Sequence, residues 1–238
     1  MKKDNFDKTI AEKVIAIDGP SGSGKSTIAR ELANSLGVLY IDTGAMFRAL
    51  AYVCNQKGIE FKEGAELTQF LATIDLKYGV SEKILIQIDG HDLSEKIREH
   101  HVSRLASIIS QLPSVRNFLL KFQRQLAENR ICVMEGRDIG TVVFPNSFSK
   151  FFITASVETR AERRLKQLRE NGDTQMKLEQ VVADVKKRDE TDMGREVAPL
   201  KKADDALLFD TTNLALMDIV NILSKEIKFR AAHLGYNL

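Results

Sequence analysis

The chain has 238 residues, 43% of them hydrophobic and 29% charged, a balance that excludes a disordered or fibrous protein. That length suits one α/β domain with appended pieces and is ample for a sizeable core. A net charge of +2 marks out no polyanionic partner, and no apolar run approaches the roughly 20 residues needed to span a bilayer.

Cys54 and Cys132 lie in apolar runs with no CxxC pair or Cys/His cluster, so buried free thiols are expected and a cysteine metal site is not. Met1 to Lys13 is polar and charged, without the apolar stretch of a secretory leader. The expected location is the cytoplasm.

The elements follow a strand, turn, helix rhythm. Val14 to Asp18 is a short apolar run ending in glycines, which predicts a buried strand. Lys25 to Leu36 carries Ile28, Leu32 and Leu36 at helical spacing and stops at Gly37. Val38 to Asp42 predicts a second strand, and Ala45 to Lys57 a helix ended by Gly58.

Residues 61–98 break the rhythm. A short helix, Ala65 to Ile74, precedes strands near Leu76 to Val80 and Ile84 to Ile88, and Asp89-Gly90 then signals a tight turn. This predicts a small antiparallel insert. Helices are expected again at Val102 to Ser110 and Ser114 to Glu128, with Pro113 suited to a helix start. Strands Ile131 to Met134, Phe151 to Thr154 and Leu207 to Asp210 follow. Between and after them come charged helices Glu158 to Asn171 and Leu178 to Asp189, and a last helix near Leu216 to Phe229. Apolar strands separated by helices imply a parallel sheet with ligands at the carboxyl ends of its strands.

The segment Gly19-Pro20-Ser21-Gly22-Ser23-Gly24-Lys25-Ser26 fits G-x-x-x-x-G-K-[ST] and lies between a predicted strand and a predicted helix. Glycines let backbone N–H groups approach phosphates, the helix N-terminus adds partial positive charge, and Lys25 reaches the β/γ-phosphates. Ser26 is the expected Mg²⁺ ligand, with Thr27 as the second candidate. The motif fixes the ligand type and leaves kinase, nucleotide switch and motor ATPase open. No N-K-x-D base-reading motif of switch GTPases is present.

The arginines narrow this choice. A kinase for a phosphorylated acceptor must neutralise two approaching phosphates. An acceptor monophosphate is already largely ionised near neutral pH, its second pKa being about 6, so arginines are needed and a general base is not. Arg48 follows the second strand, Arg116 lies beyond Pro113, and Arg137 sits in Glu135-Gly136-Arg137-Asp138 at a strand end. Arg160, Arg163, Arg164 and Arg169 line one helix, where a solvated charged face is an equally good reading. Arg188 and Arg195 bracket the stretch that contains Asp192. Positive charge clusters at these phosphate sites and aromatic RNA-binding motifs are absent, so no nucleic-acid partner is expected.

Together these motifs resemble bacterial cytidylate kinases. The resemblance rests on Ile17 to Ser26, Asp42 to Arg48, Gly136 to Pro145, Ala198 to Leu200 and Ala203 to Ala206, and runs from about Val14 to Ile227. The resemblance implies a P-loop nucleoside monophosphate kinase fold: a single α/β domain with a five-stranded parallel core sheet and helices on both faces. Its core would be residues 14–60, 99–155 and 204–230, the acceptor-domain insert about 61–98 and a helical lid about 158–195. It also implies Mg-ATP as donor, CMP and dCMP as acceptors, a monomer, and no membrane partner. In similar enzymes the residues matched by Thr43, Arg188 and Asp192 hold the acceptor sugar. Those matched by Arg48, Arg137 and Arg195 hold its phosphate, and those matched by Ser107, Arg116 and Asp138 read the cytosine edge. Lys25, Arg137, Arg188 and Arg195 are the expected catalytic cations, and Arg160 and Arg164 the expected lid contacts to ATP. The chain departs from the family pattern at Phe47, where tyrosine is usual, and at Glu135, where aspartate is common. Thr43 stands for serine, Ser26 for a glycine of some members, and Met193-Gly194 for polar residues.

Overall fold

A computed structural model describes residues 12–238 apart from 171, 173 and 174. The expected ends of the helix at Asn171 therefore lie outside the described residues. In chain order the strands are β1 (Glu12–Asp18), β2 (Leu39–Asp42), β3 (Leu76–Tyr78), β4 (Ile86–Ile88), β5 (His91–Asp92), β6 (Cys132–Gly136), β7 (Ser147–Thr154) and β8 (Leu207–Asp210). The α-helices are α1 (Lys25–Leu36), α2 (Thr43–Gln56), α3 (Ala65–Thr73), α4 (His100–Ile109), α5 (Pro113–Leu126), α6 (Val157–Glu170), α7 (Leu178–Met193) and α8 (Leu216–Leu234).

Five strands form a wholly parallel sheet in the order β2-β6-β1-β7-β8. β1 occupies its centre because both of its faces are apolar. Val14 and Ala16 point into the core shared with α2, α4 and α5, while Ile15 and Ile17 point into the core shared with α1 and α8. From β1 the chain runs out to the edge strand β2 and then returns through β6 to β7 and β8 on the other side of β1, so the crevice beyond the carboxyl end of β1 is where such a sheet binds ligands.

The small sheet β3-β4-β5 is antiparallel. Ile88 pairs with His91, so Asp89 and Gly90 alone make the turn, both at positive φ (51° and 77°). That is the geometry their sequence signal predicts. Leu76, Ile86 and Ile88 join the same hydrophobic cluster as Met46 and Leu50 of α2, so the small sheet is anchored to the main core. Helices α6 and α7 share a separate apolar cluster of Ala161, Leu165, Leu168, Val181 and Val185. No helix among the described residues is long and apolar enough to cross a membrane.

Four boundaries differ from expectation for identifiable reasons. Helix α2 begins at Thr43, because the Asp42 side chain accepts from the Ala45 N–H (2.9 Å) and caps it. Strand β7 begins at Ser147, four residues before the expected Phe151. Its polar residues Ser147, Ser149 and Lys150 are nonetheless buried, and Lys150 Nζ finds Pro145 O (2.5 Å) and Asp205 (2.8 Å). Helix α7 continues past Asp189 to Met193, which carries Asp192 on the helix. Helix α8 continues to Leu234, where Gly235 at φ 77° ends it.

Candidate active site

A cavity of about 720 Å³ opens at the carboxyl ends of β1, β2 and β6, between the phosphate-loop motif and the α6–α7 pair. Basic side chains outnumber acidic ones along its wall, so it suits a polyanion.

The motif Gly19 to Ser26 links β1 to α1. Gly19 has φ 154°, and a Cβ there would lie 2.0 Å from the Ile153 carbonyl oxygen of β7, so only glycine lets the loop leave the sheet at this point. Gly24 is the N-cap of helix α1, which has no side-chain cap and no acidic residue in its first turn. Its leading N–H groups are thus left to a ligand, which the helix dipole prefers to be anionic. Lys25 is buried and donates from Nζ to Pro20 O (3.1 Å). Burial and the neighbouring Arg137 and Arg188 push its pKa down to about 7 against the pull of Glu135. An anion beside it would reverse that shift. Ser21 through Thr27 line the cavity, whereas Gly19 and Pro20 shape the loop from behind.

Glu135, the last residue but one of β6, lies opposite this loop, buried, with both carboxylate oxygens engaged. Oε2 accepts from Ser26 Oγ (2.8 Å) and Oε1 from Tyr40 OH (2.5 Å). Burial, then the nearby Asp42, raise its pKa, while Lys25 and the two hydroxyls favour the charged form. Burial, then the charge of Glu135 and this hydrogen bond, push the Tyr40 hydroxyl pKa up. Hydroxyl and carboxylate oxygens of Ser26, Glu135 and Asp42 are hard donors that suit Mg²⁺, a cation usually held by one or two carboxylates plus substrate phosphates. Among the described residues no group of three or more His, Cys, Asp or Glu could hold a metal alone. The donor set fits a metal that arrives with a nucleotide. Of the two candidate hydroxyls, Ser26 rather than Thr27 is the one joined to Glu135.

The opposite wall carries the arginines. Asp192 of α7 accepts from Arg137 Nε (2.8 Å) and from Arg195 (2.5 Å), holding two guanidinium groups in fixed positions. Burial would raise the Asp192 carboxyl, but Arg137, Arg195 and Arg188 hold it at about 2. Arg188 is half-buried, its buried Nε has no hydrogen-bond partner, and the buried Arg195 Nε is likewise unpartnered. Burial and Arg137 lower the Arg188 pKa to about 9. Buried guanidinium N–H groups left without an acceptor are costly, which makes this wall a receptor for anions. Arg48 of α2 pairs with Asp42 (2.9 Å), and Arg164 of α6 has its pKa lowered by burial and by the charge of Arg48. Both side chains line the cavity.

Beyond β6 the chain makes a π-turn, Ile139–Val143, that none of the sequence signals announced. Asp138 precedes it and pairs with Arg116 of α5. Arg116 also donates to Ser110 O (3.1 Å) and lies over the Phe47 ring at 5.6 Å. Asp138 and Ser107 face the cavity, and Arg116 stands behind Asp138 rather than on the wall. Thr43 lines the cavity and donates to Glu135 O (2.7 Å). Gly136 is needed here, since a Cβ would lie 2.8 Å from the Thr43 hydroxyl oxygen.

Arg160, expected to face a nucleotide, is otherwise engaged. It pairs with Asp189 (2.6 Å) and donates to Ala155 O and Ser21 O, and it does not line the cavity. It clasps α6, α7 and the phosphate loop together. Arg163, one turn along, does reach the cavity and braces the loop through Ser23 O (3.3 Å) and Thr211 (Oγ1 3.0 Å, O 2.8 Å). Their spacing put both on one helix face, but nothing in the spacing says which one finds Asp189. Two further groups were missed. Tyr78 of β3 accepts from the Asp42 N–H (2.7 Å), tying the small sheet to the site. Asp18, at the end of β1, accepts from the N–H groups of Ile139 and Gly140, each at 2.8 Å.

A family model described as cytidylate kinase matches residues 15–229, nearly all of the chain. The chain belongs to the cytidylate kinase family. It is 44% identical over 214 residues to a cytidylate kinase of Caldanaerobacter subterraneus subsp. tengcongensis, covering 90% of this chain and 94% of that one. It is 42% identical over 217 residues to one of Halalkalibacterium halodurans (91% and 97%) and 41% over 218 residues to one of Geobacter sulfurreducens (91% and 93%). As a member of the cytidylate kinase family the chain is a phosphotransferase, and the family's use of ATP fits the loop and cavity described above.

Proposed function

We propose that the chain transfers the γ-phosphoryl group of Mg-ATP to the phosphate of CMP or dCMP, giving ADP and CDP or dCDP. One observation carries the reading: an uncapped phosphate loop and an arginine cluster organised by Asp192 face each other across one cavity, with the Asp138–Arg116 pair at its acceptor end.

The acceptor phosphate oxygen attacks the γ-phosphorus in line, a new P–O bond forms, and the bond to the β,γ-bridging oxygen breaks. Phosphate-loop N–H groups of Ser21 to Ser26 and the Lys25 ammonium hold the donor, with Thr27 beside them. Arg48, Arg137 and Arg195 hold the acceptor phosphate, and Arg188 lies between the phosphates. Their charges offset the repulsion of two polyanions and gain strength as phosphate oxygens grow more negative. Bound Mg²⁺ would neutralise charge on the donor phosphates, and Ser26 and Glu135 are the residues that would hold it. Arg164 supports the donor from α6, and the α6–α7 pair acts as a lid that excludes water. Thr43 and Asp192 hold the sugar. The Asp138 carboxylate accepts from the cytosine N4 amino group, oriented by Arg116, with Ser107 alongside.

Coupled ADP-release assays with CMP, dCMP, UMP, AMP and shikimate test this. CMP and dCMP are expected to lead; no transfer to CMP would overturn the proposal. Asp138→Ala is expected to erase the preference for cytosine over uracil.

A further inference from the structure

Between the donor loop and the acceptor wall lies a group assigned no role so far. Asp18 is the last residue of β1, immediately before Gly19 of the phosphate loop. It is 5% exposed, and its two carboxylate oxygens accept separately from the backbone N–H groups of Ile139 and Gly140 (2.8 Å each). Those N–H groups open the π-turn that directly follows Arg137 and Asp138. Strand pairing already sets Asp18 beside Gly136. Beyond that pairing β6 ends, and the backbone of residues 137 and 138 has no further ladder to define it.

We infer that Asp18 is a positioning residue for the acceptor site: its carboxylate clamps the start of the π-turn and so aims Arg137 and Asp138 at the acceptor nucleotide. This inference rests on the proposed CMP kinase activity. A carboxylate suits the task because it alone offers one acceptor oxygen to each N–H. Asparagine keeps the shape but turns an amino group toward one of the two donors, leaving a buried N–H unsatisfied and repelled. The turn has little room to adapt elsewhere, since a Cβ on Gly140 would already press on the Lys150 side chain at 3.1 Å.

The test is Asp18→Asn, with KM for CMP, KM for ATP and kcat measured separately, and CMP compared with UMP. A misaimed Arg137–Asp138 pair is expected to raise the CMP KM at least about tenfold, the equivalent of one lost charge-assisted hydrogen bond. The ATP KM is expected to stay within about twofold and the CMP-to-UMP ratio of kcat/KM to fall. A purely structural role would instead lower kcat at unchanged KM and unchanged base preference through loss of folded enzyme, and that result overturns the inference. If Asp18→Asn does not fold, an amide-to-ester replacement at Gly140 removes one donor and keeps the carboxylate. An unchanged CMP KM in that protein overturns the inference equally. CMP transfer by the unaltered chain is the control: its absence removes the functional reading and this one together, whereas its presence with an unmoved CMP KM in the variant removes this one alone.

Discussion

The phosphate loop and the arginine cluster both present N–H donors to one cavity, but they are made differently. The loop is backbone from consecutive residues, shaped by glycine and by a helix start. The cluster is side chains from the end of β6, from α7 and from the turn after it, and it exists only because Asp192 gathers Arg137 and Arg195. A backbone site is fixed once the strand and helix form. A side-chain site of like charges needs a carboxylate to hold it together before any ligand arrives.

That contrast can be broken first at Lys25, the one side chain on which the loop depends for full charge. Lys25→Met is expected to lower kcat about a thousandfold, the scale for a lost preorganised donor, with little loss of folding stability because the charge is now absent from a buried position. Steady-state kinetics and a thermal melt check both halves. On the other wall, Arg188→Lys keeps the charge and loses the planar fork. A drop in kcat/KM of about ten- to a hundredfold is expected, matching one or two charge-assisted bonds. Near-normal activity would show that point charge suffices there.

Asp192→Asn is expected to act on stability as well as on activity. The folded carboxyl lies at about 2 against 3.8 for the free group, so its contribution is complete above pH 4 and fades as pH falls toward 2. The shift corresponds to about 2 kcal/mol. The variant is expected to lose stability at neutral pH and to show a flatter acid limb in urea titrations. Added CMP is expected to raise its Tm less than that of the unaltered chain, because the arginines are no longer held in place for the phosphate. The smallest effect is expected at Phe47→Leu, which removes the ring beneath Arg116. A cation–π contact of about 0.5–1 kcal/mol predicts a two- to fivefold rise in CMP KM.

The same contrast explains what could be read from the sequence. The loop was legible because every determinant lies within eight residues of a strand-helix junction. The parallel arrangement of the strands and the Asp89-Gly90 turn were legible from apolar runs and turn chemistry. Arg137 stood out by its place after a strand, but its partner Asp192 is 55 residues away and the bond is purely tertiary. Arg160 and Arg163 were indistinguishable by spacing, and only the fold gives one to Asp189 and the other to Thr211. The polar start of β7 read as loop because burial of Lys150 requires Asp205, also 55 residues distant. Asp18 gave no signal, since an aspartate at a strand end is ordinary until the turn it clamps is known.

Tyr78 shows what these long-range bonds mean for anyone recombining such proteins. Its hydroxyl is the acceptor for the Asp42 amide, and Asp42 in turn caps α2 and restrains Arg48. A chimera that imports residues 61–98 from a relative must therefore import a hydroxyl at the same place. Without one, the graft can fold with its own hairpin intact and still leave the amide orphaned, loosening an arginine that belongs to the recipient.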